Sequence, residues 1–234
     1  MVSHRLVHCS SATLSVLLHL ANLFRAIGPH LDVGLSRHWV YIRTAAPNIR
    51  SVYVSRTVVN VTNEAKDFHY SMIVASNTTT TISGTGSLEV GWGDLGSYYG
   101  YGTAPVVVSG ANTQGQVHTE ISIAAGQTRT FYIYHSLSNI WKGYIWHNGT
   151  WVFLRSANLG RVTCASCWAT FENGNIEGAN HPILPTSRIT VLQLWDGLTR
   201  DWTPANFSTT ERIDQPYSAT FTTRYTNWSA QGGP

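Results

Sequence analysis

Twelve carboxylates are scattered through 234 residues, and two pairs lie close enough in sequence to work together. Glu172 and Glu177 straddle the turn-like stretch Asn173-Gly174-Asn175, while Glu89 and Asp94 bracket Gly91-Trp92-Gly93. Hydrolysis of a glycosidic bond needs two carboxyl groups about 5 Å apart for retention, or about 6.5–9.5 Å apart for inversion. Each of these four acids reads more simply as a solvated turn charge, since exposed acids are common. No G-x-S-x-G elbow, H-E-x-x-H helix or phosphate-binding loop is present. The ten histidines are spread singly, with no pair at metal-ligand spacing. The expectation is no catalytic residue, no metal and no cofactor.

Cysteine and asparagine offer other chemistry. Cys164-Ala165-Ser166-Cys167 is a C-x-x-C. A redox role would place that motif at the start of a helix in a βαβ unit, whereas strand-like sequence surrounds it here. A zinc site would need two further ligands, and His181 alone is poor support. A local Cys164–Cys167 disulfide, with Cys9 left over, is the preferred reading and implies an oxidising compartment. Five sequons mark candidate N-glycosylation at Asn60, Asn77, Asn148, Asn206 and Asn227.

Aromatic residues form two clusters. In Trp141-Lys142-Gly143-Tyr144-Ile145-Trp146-His147-Asn148-Gly149-Thr150-Trp151-Val152-Phe153-Leu154-Arg155, Asn-Gly between alternating runs predicts a two-residue type I′ hairpin, whose turn positions both need φ > 0. That turn sets His147 opposite Thr150, Trp146 opposite Trp151, Ile145 opposite Val152, Tyr144 opposite Phe153, Gly143 opposite Leu154 and Lys142 opposite Arg155. One face, with Trp141, Ile145, Val152 and Leu154, is core. The other is an aromatic platform of Tyr144, Trp146, Trp151 and Phe153. It either packs under another layer or stays open and stacks on sugar rings. The second cluster, residues 91–102, carries Trp92, Tyr99 and Tyr101 among glycines. It is read either as a self-packed loop or as a further glycan-stacking surface.

The elements that must hold these groups are strands. From His38 onward the sequence follows period two, with candidate strands at 38–45, 50–61, 68–75, 86–92, 104–109, 116–124, 128–137, 140–147, 150–156, 168–173, 188–195 and 217–228. They are rich in Val, Ile, Thr, Tyr and Trp. About a dozen strands without a convincing helix predict an all-β antiparallel sandwich. Residues 38–234 are taken as one such domain. Residues 1–37 differ: Leu14, Leu17, Leu18, Ala21 and Phe24 make one helical stripe. Export signal or anchor, organelle presequence and packed docking helix all remain open for that segment.

Charge narrows the partners. Only 12% of residues are charged and the formal net charge is +3. Setting aside Arg5, Arg25, Arg37 and Asp32 leaves 12 basic against 11 acidic residues. Lys66 and Lys142 are the only lysines. A nucleic-acid footprint needs clustered Lys and Arg, so no nucleic-acid partner is expected. No run of eighteen apolar residues predicts a spanning helix.

The 141–155 stretch, with Thr130-Phe131-Tyr132-Ile133-Tyr134 and Leu88-Glu89-Val90-Gly91-Trp92, resembles secreted concanavalin A-like jelly rolls. The likeness covers residues 86–156 and rests on strand pattern. It implies a jelly-roll sandwich and secretion. The E-x-D-x-x-E strand of glucanases with that fold is missing, so their activity does not carry over. A looser likeness to glycosylated extracellular fibril subunits rests on no specific motif. Together these readings lead to an extracellular, non-enzymatic structural subunit. It would be glycosylated and self-assembling by addition of a terminal strand from 50–61 or 217–228. A lectin-like module using the aromatic platform is the alternative. A glycan-active enzyme is a distant third.

Overall fold

A computed structural model describes residues 36–44, 48–61, 67–77, 86–94, 103–109, 114–175, 183–204, 209–223 and 226–233. All but the last two residues of the 1–37 segment lie outside this set, as do Tyr99, Tyr101, Asn206, Glu177 and His181.

Two antiparallel sheets stack face to face, as the sequence predicts for an all-β sandwich. The first is seven-stranded. It contains β1 (Ser36–Thr44), β3 (Asp67–Ser76), β4 (Ser87–Asp94), β5 (Thr103–Ser109), β6 (Gln114–Val117), β10 (Ser166–Asn175) and β13 (Thr209–Ile213), in the order β13-β1-β10-β3-β4-β5-β6. The second contains β2 (Ile49–Thr57), β7 (Thr128–His135), β8 (Ile140–His147), β9 (Thr150–Asn158), β11 (Leu184–Asp196), β14 (Tyr217–Thr223) and β15 (Asn227–Gly232), in the order β14-β15-β11-β2-β7-β8-β9. Its eighth strand, β12 (Asp201–Pro204), pairs with β11.

Alternation explains which side chains meet between the layers. Val52 and Val54 of β2 and Phe131 and Ile133 of β7 point inward, as do Leu88, Val90 and Trp92 of β4. All are buried in one core cluster with Phe171, Trp141 and Trp228. The layers come close where β8 crosses β4: a Cβ on Gly143 would lie 2.4 Å from Val90 Cγ2. Any side chain there would have to push Val90 aside.

Some expected strands end earlier or divide. The 50–61 run stops at Thr57, because Val58 turns to bond Gln127 and Gly126. The 116–124 run ends at Val117, where Ile121 N donates to His118 O in a turn. The 217–228 run is a hairpin, β14 and β15, and not one strand. β12 and β13 were not anticipated, being too short to show a period.

Arg56 is the polar exception in the core. It occupies an inward position of β2 and is fully buried. Its Nη1 donates to Ser71 Oγ at 2.6 Å and to Thr170 O at 3.0 Å, and its Nη2 donates to Met72 O. The guanidinium sits 5.5 Å from the Phe171 ring centroid. Burial pulls its pKa down to about 9, so it remains a cation at neutral pH. It ties the second sheet to β3 and β10 of the first. Next to it on the inward face of β3 lies buried His69, whose Nδ1 is 2.6 Å from Asn173 Oδ1.

At the opposite end of β3, residues 164–167 join the layers. Cys164 and Cys167 form a disulfide. Cys164 N donates to Ile49 O of the second sheet, and Ala165 N donates to Ser76 O of the first.

Candidate functional site

Each sheet turns one face away from the core, and these two faces carry the candidate chemistry. On the seven-stranded sheet, β10 continues through the Gly/Asn stretch to Asn175. Glu172 is therefore a central-strand residue and not a turn charge. It pairs in register with Trp39 of β1 on one side and Tyr70 of β3 on the other. It is half-buried, while Tyr70, Thr170 and Trp168 on the same outward face are buried. Trp39 is held in place from both sides. Its backbone N–H donates to Asp214 Oδ2 at 3.0 Å, and the Arg212 guanidinium lies 4.4 Å over its ring. Arg212 Nε donates to Asp214 Oδ1 at 2.8 Å. Partial burial works to raise the Asp214 pKa, but the hydrogen bonds from Arg212 and the Trp39 N–H outweigh it, and the net direction is down.

Glu89 also lies within a strand, β4, opposite Val74 of β3. Four residues along β3 and two strand spacings separate it from Glu172, which is roughly 16 Å between Cα atoms at ordinary strand dimensions. The two are too far apart to act as paired carboxylates across one glycosidic bond. Glu89 and Asp94, five residues apart on one strand, fall on opposite faces by parity.

The outer face of the second sheet is aromatic. One row across it reads Gln193, Tyr53, Tyr132, Tyr144 and Phe153, on β11, β2, β7, β8 and β9. The hairpin turn has φ of 49° at Asn148 and 80° at Gly149, as the I′ reading requires. Trp146 faces Trp151 and Tyr144 faces Phe153 as expected, but a bulge at Gly143/Tyr144 puts Gly143 opposite Arg155 and Lys142 opposite Ser156. The platform is open: Trp146, Trp151 and Phe153 are 42%, 37% and 50% exposed. Trp151 leans inward over the sheet, with its ring centroid 5.5 Å from Tyr132 and 6.3 Å from Tyr53. Trp202 approaches from the other side, 6.0 Å from Tyr132 and 5.9 Å from Tyr53. Between them lies a groove of ≈ 460 Å³ lined by Tyr53, Tyr132, Trp151, Val191, Gln193 and Trp202. Desolvation raises the Tyr132 pKa, and desolvation together with the neighbouring Tyr134 pushes Tyr144 up to about 12. Both phenols are neutral donors at ordinary pH.

Sequence reasoning found Tyr144, Trp146, Trp151 and Phe153, but missed Tyr53, Tyr132, Gln193 and Trp202. Tyr53 and Tyr132 are the odd aromatics at polar positions of otherwise clear alternations, and that parity was the available signal. Trp202 arrives through β12, which gives none. Trp92 is corrected: it points into the core and is fully buried, so it offers no stacking surface. Of the sequon residues, Asn60 and Asn148 are exposed. Asn77 is half-buried against Gly86, and the Asn227 amide nitrogen is directed at Thr226 O and Thr190 O. Among the described residues no group of His, Cys, Asp and Glu is arranged to hold a metal. No described helix is long and apolar enough to cross a membrane.

No protein-family model matches the sequence, and no curated protein does. Solved structures do share the fold. Scytalido-glutamic peptidase with a transition-state analogue inhibitor superposes with a TM-score of 0.63 at 11% identity, over 85% of this chain and 99% of that one. SCP-B, an eqolisin-family peptidase in complex with the tripeptide Ala-Ile-His, gives 0.58 at 10% identity over 85% and 99%. Scytalido-glutamic peptidase with a peptide-based transition-state analogue gives 0.56 at 12% identity over the same shares. The architecture is thus an all-β two-sheet sandwich shared with these proteins and compatible with a jelly roll.

These findings correct the expectation of a non-enzymatic, self-assembling structural subunit. The three solved structures above, which share the fold over 85% of this chain, are peptidases. Nor is the 50–61 strand available for addition to a neighbour, because β2 is paired on both sides, by β11 and β7. Adjacency in sequence does not show which side chains meet in this fold. On a sandwich face, neighbours such as Trp39, Glu172 and Tyr70 come from strands far apart in sequence.

Proposed function

We propose that this chain hydrolyses peptide bonds, with Glu172 as the group that activates water. The observation that carries the reading is the placement of Glu172. It is a half-buried carboxylate on an interior strand, on the outer face of a sheet in a fold shared with glutamic peptidases. Of the other described glutamates, Glu120 and Glu211 are exposed. Glu89 is half-buried on the same sheet but lies roughly 16 Å away by strand geometry.

Partial burial beside Trp39 and Tyr70 suits a carboxylate that must hold and release a proton. The Glu172 carboxylate takes a proton from water as the water oxygen attacks the peptide carbonyl carbon. The same proton then passes to the leaving nitrogen as the C–N bond breaks. The Cys164–Cys167 disulfide supports an oxidising, extracellular setting for this activity.

The test is digestion of denatured protein and of a mixed peptide library by the full chain across pH 2–8, read by mass spectrometry. Cleavage is expected, with E172Q reducing it at least a hundredfold and E89Q leaving it within a few-fold of wild type. No cleavage at any pH, or full activity in E172Q, overturns the reading.

A further inference from the structure

The aromatic groove lies on the opposite side of the sandwich from Glu172. We propose that it binds a neutral oligosaccharide supplied from outside the chain. The ligand would be gripped between Trp151 and Trp202 over a floor of Tyr53 and Tyr132.

Three features of the groove select that chemistry. None of its six lining residues is charged, so it offers nothing to an ionic ligand. Its surfaces are ring faces and edges: Trp151 and Trp202 each lie within about 6 Å of both floor tyrosines by ring centroid. The electron-rich face of an aromatic ring complements the C–H face of a pyranose, while the Gln193 amide can both donate to and accept from ring hydroxyls. The groove volume of ≈ 460 Å³ falls within the usual range for small-molecule sites.

Backbone accounting disfavours a polypeptide in the same place. Peptides that bind sheets usually do so along an edge, where free N–H and C=O groups complete a ladder. Tyr53 and Tyr132 belong to β2 and β7, each hydrogen-bonded to strands on both sides. A peptide laid across them would find no open backbone ladder, only the Gln193 amide and the hydroxyl and indole groups of the rings, and burying unmatched amides is costly. A sugar needs far fewer fixed partners, because its hydroxyls can stay at the solvent edge. Trp151 keeps 37% of its surface exposed, so its ring has not been consumed by packing.

The experiment is calorimetric titration of the full chain with cellohexaose, chitohexaose and maltohexaose, with tryptophan fluorescence as a second readout. Binding of at least one hexasaccharide in the micromolar-to-millimolar range is expected. W151A and Y132A should each weaken it tenfold or more, W151F should weaken it less, and E172Q should leave it unchanged. Far-UV circular dichroism and thermal melts confirm that each variant is folded. The proposal is overturned by no binding of any of the three sugars. It is also overturned by binding that W151A does not alter, by binding seen only after enzymatic removal of a glycan from Asn148, or by W151A-sensitive binding of the peptide library instead.

Discussion

His69 shows how one buried side chain sets a pH limit on the fold. Its pKa is pulled down to about 4, first by burial and further by the nearby Arg56 cation, against the hydrogen bond with Asn173. In the unfolded chain an ordinary histidine titrates near 6.5. The unfolded state therefore takes up the proton first as pH falls, so stability is complete above about 6.5 and declines toward about 4. The expected loss between pH 7 and 5 is about 2 kcal/mol. Urea midpoints at the two pH values measure it, and H69Q should flatten the difference. Sequence showed ten scattered histidines with nothing to single this one out. Its burial follows from parity on β3, but its partners Asn173 and Arg56 come from β10 and β2, which only nonlocal pairing brings together. Glu172 was hidden in the same way: the Asn-Gly stretch beside it reads as a turn, and the ladder with β1 and β3 holds it extended.

At the scale of elements, local turn chemistry was legible and register irregularities were not. Asn148-Gly149 fixed β8 against β9 for four residue pairs, after which the bulge at Gly143/Tyr144 shifted the register by one. That bulge coincides with a close approach of β8 to β4, at Val90. The fit sets a firm expectation. G143A should lower stability by about 1–3 kcal/mol, the usual penalty for overpacking. Adding V90A to G143A should restore part of that loss, because the removed methyl groups make the room. Chemical denaturation of the single and double variants measures both effects. A paired β8–β9 hairpin with an intact turn would be retained throughout.

On the whole-molecule scale, the two-sheet sandwich was readable from period-two patterning, while the order of the fifteen described strands was not, since it depends on contacts between distant segments. The disulfide loop is one such joint. It touches β2 of one sheet and β3 of the other through Cys164 and Ala165. Closing so short a loop is worth about 2 kcal/mol in the chain-entropy account. Thermal melts with and without reductant should differ accordingly, with C164S/C167S melting like the reduced protein and insensitive to reductant.

The two outer faces sit back to back across one interlayer core, so occupancy of one leaves the other clear. A protein anchored through Trp151 and Trp202 to an insoluble polysaccharide would hold Glu172 facing away from that surface, clear for polypeptide that projects from the same matrix. Tethering of this kind turns an encounter in solution into one at millimolar effective concentration. Polypeptide displayed on a glycan matrix should therefore be degraded faster than the same polypeptide free in solution. W151A should erase that preference while leaving the rate on free polypeptide unchanged, a comparison that release of labelled fragments from coated beads would settle.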